Sequence, residues 1–130
     1  MHNDRSEELC HYRINEAGDT LRAATSCYSL GLYKDAINRS YYAAFYAIKA
    51  VLALGKVDFK RHKDVVAYFN REYVATGIFE KDMGRKLARL QQLREKSDYD
   101  DFFIASKEQA ESQIETAQLI LNTIKEYLKK

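Results

Sequence analysis

One stretch constrains this chain more than any other: Tyr33 to Leu54, which reads YKDAINRSYYAAFYAIKAVLAL. It contains neither proline nor glycine and is apolar on nearly every side. Coiled into a helix it would be about 33 Å long. A helix that is greasy all round belongs either at the centre of a bundle or in a membrane. Lys34, Asp35, Asn38, Arg39 and Lys49 decide for the bundle, because each would be costly in hydrocarbon. Ala36, Ser40, Ala43, Ala44, Ala47 and Ala50 let neighbours approach closely, while Tyr41, Tyr42, Phe45 and Tyr46 fill the space between them.

The flanking segments supply the neighbours. Ile14, Ala17, Leu21, Ala24 and Tyr28 recur at spacings of three and four and predict a first helix from about Asp4 to Ser29. Asn3 or Asp4 is placed to cap it, and Gly31 to end it in a left-handed turn. The turn to the central helix is so short that the two should lie antiparallel. Gly55 is expected to end the central helix, and the loop KVDFKRHKD follows. Val65, Val66, Phe69 and Tyr73 then suggest a short helix over about Lys63 to Thr76, stopped by Gly77. Met83, Leu87, Leu90 and Leu93 face inward on a helix from about Glu80 to Ser97, whose polar face is basic: Lys81, Arg85, Lys86, Arg89 and Lys96. Ser106 and Gln109 form a capping-box pattern opening the last helix. Its apolar stripe runs through Ala110, Ile114, Ala117, Leu121, Ile124 and Leu128. The expected architecture is all-α: an up-and-down four-helix bundle with one additional short helix, forming one domain over residues 1–130.

Composition narrows the function classes. The 21 basic and 19 acidic residues leave a net charge of +2, too balanced to imply nucleic acid without a local patch. Cys10 and Cys27, on one helix, would lie about 25 Å apart, too far to bridge. Two free thiols, no apolar leader and no run of about 18 apolar residues point to a cytoplasmic protein without a membrane role. Phosphate-binding glycine loops, GxSxG and HExxH are absent, and no spacing suggests a metal or a cofactor.

A few polar residues stand out from the framework. His62 lies among Lys60, Arg61 and Lys63, where nearby cations would favour its neutral form; it either braces a loop or touches a phosphate. His2 and His11 read as surface or partly buried polar groups. Arg94 and Asp98 are four apart and face the same way on a helix, with Tyr99 next. They form either a plain ion pair, worth under about 1 kcal/mol if exposed, or a cationic and phenolic site at the bundle rim. Asn38 and Tyr42 share a face beside Arg39, whose charge needs a partner; Asp98 and Glu16 are both candidates. The basic helix face and the Lys56–Lys63 loop could attract RNA phosphates, although solvated helix faces often look the same.

The ordered set Ala36, Asn38, Arg39, Tyr41, Tyr42, Ala43 and Phe45, followed by His62 and then by Arg94, Asp98 and Tyr99, resembles HEPN-domain proteins over nearly the whole chain. The resemblance implies a four-helix bundle, commonly a homodimer, from bacteria or archaea. It also implies a minimal nucleotidyltransferase as partner, in a toxin–antitoxin-like or nucleotide-linked system. Some family members are metal-independent ribonucleases whose motif is Arg, four to six residues, then His. Here that count from Arg94 meets Tyr99, Asp100 and Asp101, and from Arg89 it meets Arg94, Glu95 and Lys96. Arg5 and His11 have the spacing but lie in the first helix. Tyr99, with a reference pKa near 10, is a poor substitute for the missing imidazole. The expectation is therefore a binding module without catalytic residues. Asn38, Arg39, Tyr42, His62, Arg94, Asp98 and Tyr99 would form the surface for a protein partner, a nucleotide or RNA. The alternative is a metal-independent ribonuclease with a non-standard site, using His62 or Tyr99 beside Arg94.

Overall fold

The computed structural model describes residues 5–130. His2 and the capping candidates Asn3 and Asp4 lie outside the described residues. Four long helices, α1 (Ser6–Ser29), α2 (Tyr33–Leu54), α4 (Lys81–Tyr99) and α5 (Lys107–Leu128), form an up-and-down bundle. The short α3 (His62–Phe69) is the additional helix, and it runs directly into one π-helical turn, Asn70–Val74.

The central position of α2 follows from its composition. Thirteen of its 22 residues are buried, from Ala36 to Ala53, and they cover almost its whole circumference. It packs against α1, α3, α4 and α5. The fully buried Ser40 hydroxyl on α2 donates to the Ala36 carbonyl at 2.8 Å and so enters the apolar interior satisfied.

Ends of the helices follow local chemistry. Gly31 adopts φ +78° between α1 and α2, the left-handed conformation that favours glycine. Gly55 ends α2 as its C-cap, as expected, and the left-handed residue after it is Lys56 (φ +63°). Gly55 is needed for a different reason. A Cβ there would meet the Tyr73 hydroxyl at 3.0 Å, so its hydrogen lets the turn after α3 close onto α2. The capping box at α5 is complete. The Gln109 backbone N–H donates to Ser106 Oγ, and the Ser106 N–H donates to Gln109 Oε1, both at 3.0 Å.

Two differences from the sequence reading affect the core. α3 begins at His62, one residue earlier than expected, and gives way to the π turn after Phe69, where the Ala75 N–H donates to the Asn70 carbonyl at 2.8 Å. Phe79, which falls between the two expected helices, is buried between Phe69 (5.3 Å between ring centres) and Tyr127 (5.0 Å), tying the chain before α4 to the end of α5.

Candidate phosphate-recognition site

Helix α4 runs antiparallel to α2, bringing its last two turns beside the first two turns of α2. The inward stripe of α4 continues from Leu87 and Leu90 to Arg94 and Ser97 at steps of three, four and three. Arg94 is thereby carried into the interior, with its side chain only 11% exposed. Its guanidinium carbon lies 4.5 Å from the centre of the Tyr41 ring and 5.7 Å from that of Tyr42. Two phenol faces thus surround the cation, an arrangement favoured by the ring quadrupoles.

The ionic partners of Arg94 are few. Its Nη1 contacts Asp98 Oδ2 at 3.5 Å, the long limit of a hydrogen bond, and its buried Nε–H has no partner. The Tyr41 hydroxyl lies near the guanidinium but makes no hydrogen bond of good geometry. Burial pushes the Tyr41 phenol above its ordinary value, and the positive charge of Arg94 only partly offsets this. Burial alone would weaken the charge on Arg94, but Tyr41, Tyr42, Asp98 and Tyr99 more than compensate. Asp98 is the carboxylate among these neighbours and so the ion-pair partner of Arg94.

Asp98 is also where a second cation arrives, indirectly. Arg39 donates to Asn38 Oδ1 from Nε (3.1 Å) and from Nη2 (2.8 Å), and it lies over Tyr42 at 5.2 Å. Asn38 in turn donates from Nδ2 to Asp98 Oδ2 at 3.4 Å. Neither Asp98 nor Glu16 takes Arg39 directly; the Asn38 amide relays between Arg39 and Asp98.

His62, the first residue of α3, packs its ring on Phe45 at 4.3 Å and against Tyr42 at 5.6 Å. Its pKa is lowered chiefly by burial against these rings, then by Arg94 and Lys49. The neighbours expected from sequence, Lys60, Arg61 and Lys63, are not the cause. Tyr42, touched by Arg39, Arg94 and His62, is the hub of the group. Asn38, Arg39, Tyr42, His62, Arg94 and Asp98 therefore lie together. Tyr99 stands at the edge, with 76% of its surface exposed.

Arg13 escaped the sequence reading. It is buried on α1, donates to the Lys49 carbonyl at 2.9 Å and contacts Asp58 at 3.5 Å. Cys10, Arg13 and Ala17 follow one another at steps of three and four on the buried face, and that phase was the available signal. Among the described residues, no group of three or more His, Cys, Asp or Glu is arranged to hold a metal ion. No described helix is long and apolar enough to cross a membrane.

Comparison with known proteins points in one direction. The family model for the HEPN domain matches residues 10–127. A Methanocaldococcus jannaschii protein named "Putative toxin MJ0605" is 34% identical over 129 residues, covering 99% of this chain and 95% of its own length. A second protein of that organism, "Putative toxin MJ0142", is 30% identical over 115 residues, covering 88% of this chain and 78% of its own. A Thermotoga maritima "UPF0332 protein" is 30% identical over 125 residues, covering 96% of this chain and 95% of its own.

Proposed function

The chain belongs to the HEPN family, and on that premise we propose that it is a toxin-type binding module that recognises phosphate at the Arg94 site. The phosphate would be carried by a nucleotide or by RNA. One observation carries this reading. Arg94 is a nearly buried cation with one long ionic contact and an unpartnered Nε–H, so its planar donor set is under-used within the chain, as suits a group that receives an oxyanion. Arg39 and Asn38 extend the donor surface, and the exposed Tyr99 ring offers a face on which a base could stack. In this reading the chain forms a homodimer and works with a nucleotidyltransferase partner; the naming of two archaeal relatives as putative toxins supports the toxin role. Titration with a fluorescent mononucleotide tests the site: wild type should bind, and an Arg94→Gln variant of unchanged helicity should lose at least tenfold in affinity. Co-elution with the product of an adjacent nucleotidyltransferase gene tests the partnership, and its absence with a cognate neighbour would oppose it.

A second reading, metal-independent RNA cleavage, is favoured by the rings that His62 and Arg94 share. A neutral His62 would accept the 2′-hydroxyl proton, the 2′-oxygen would attack phosphorus, and Arg94 would stabilise the developing charge as the 5′-oxygen departs. Two observations place this reading second. The His62 ring is packed on Phe45. The nearest phenol to Arg94, that of Tyr41, is raised in pKa and so a weak acid for protonating the leaving oxygen. Incubation with total RNA in EDTA separates the two: binding without turnover fits recognition, and cleavage abolished by His62→Ala fits catalysis.

A further inference from the structure

The opposite side of α4 carries a second feature, a groove against α5 with a volume of about 450 Å³. Arg89 and Lys96 line one wall, Gln109 and Ser112 the other, and Gln113 lies at the floor. Gln113 is 1% exposed, and its Nε2 has no hydrogen-bond partner. Such a buried donor is costly unless something enters to accept from it. Among the described residues Arg89 and Lys96 form no ion pair, and neither do Lys81 and Arg85, which extend the exposed face along the helix. Among the described residues of this face Lys86 makes an ion pair with Asp82, whose carboxylate also feels the charges of Arg85 and Arg89 from farther away. Lys81, Arg85 and Arg89 are spaced four residues apart, so the charges follow one another at about 6 Å along the axis. That repeat is comparable to successive phosphates on an extended single strand. One carboxylate, Glu108, lines the groove, and it is exposed in the first turn of α5.

We propose that this face of α4 and the α4–α5 groove bind the backbone of single-stranded RNA. The groove offers two cations, Arg89 and Lys96, and the amides of Gln92, Gln109 and Gln113 beside Leu93, Ser112 and the Glu108 carboxylate, with no aromatic ring in its lining. It is thus suited to sugar–phosphate contacts and indifferent to base identity. The inference rests on the phosphate-recognition reading and extends it to a second site, a backbone track separate from Arg94 on the other side of α4.

Three variants and two probes test it. A fluorescent twelve-nucleotide oligouridylate reads the track, and a fluorescent mononucleotide reads the Arg94 site alone. An Arg89→Gln/Lys96→Gln double variant should bind the oligonucleotide at least fivefold more weakly in low salt. Its log–log salt slope should be shallower by about 1.4, the value for two lost phosphate contacts on a single strand. Its mononucleotide affinity should be unchanged. Gln113→Leu should raise the melting temperature while weakening the oligonucleotide, which separates a ligand contact from a packing role. Arg94→Gln should lose the mononucleotide. Oligonucleotide affinity and salt slope unchanged in both groove variants would overturn the track and leave the Arg94 reading standing. Equal displacement of the oligonucleotide by poly-glutamate would also overturn it, in favour of an acidic protein segment.

Discussion

The guanidinium carbon of Arg94 lies 4.5 Å from the centre of the Tyr41 ring, joining the last turns of α4 to the first turns of α2 through a cation on an aromatic face. The contact has a structural role. Replacing Arg94 with Ala should lower stability by about 1–2 kcal/mol through loss of that interaction. Lys should restore only part of it, since an ammonium lacks the planar face. Tyr41→Phe keeps the ring and removes a buried hydroxyl without a partner, so it should leave stability equal or higher. Urea denaturation of the four proteins checks the order.

Asn38 is predicted to act through its neighbours. It accepts from Arg39 and donates to Asp98, so Asn38→Ala should release Arg39 and leave Asp98 with Arg94 alone. A double-mutant cycle between Asn38→Ala and Asp98→Asn should give a coupling of about 0.5–1 kcal/mol. A cycle between Asn38→Ala and a distant surface change such as Lys129→Ala should give none beyond error.

The state of His62 sets a pH dependence. Its folded pKa lies below the ordinary value of 6.5, so between those two values the unfolded chain binds more protons than the folded one. Stability from this group is therefore complete above about pH 6.5 and falls as the pH drops through the usual histidine range toward the folded value. His62→Gln should flatten the stability profile between pH 7 and pH 5, as thermal melts at fixed ionic strength would show.

Gly55 and Tyr73 form a steric pair. Gly55→Ala should cost about 1–3 kcal/mol by forcing the Tyr73 hydroxyl away, and adding Tyr73→Phe should recover most of the loss. At the start of α5, Ser106→Ala should cost about 1 kcal/mol, because the Gln109 N–H loses its acceptor. Both changes leave the Arg94 site untouched, so mononucleotide binding at a temperature well below the melt should not change.

How far the sequence reached is clearest from particular residues. The place of α2 was legible because so many of its side chains are small or apolar that no other packing could satisfy them. The α5 cap was legible because Ser and Gln three apart act within one turn. The burial of Arg94 was not. An apolar stripe was traced through Met83, Leu87, Leu90 and Leu93, yet the same step of four from Leu90 reaches Arg94, which buries with the stripe because Tyr41 and Tyr42 receive its charge. The amide relay at Asn38 was out of reach for a different reason. It depends on the rotamers of three side chains from two helices, which residue spacing does not encode.

Arg94 is the group proposed to receive phosphate. Its most direct test is a calorimetric titration of wild type and Arg94→Gln with a mononucleotide, in EDTA and at matched salt. Saturable binding by the wild type, weakened at least tenfold in a variant of unchanged helicity, is the predicted result. Equal affinity for the two proteins would contradict it.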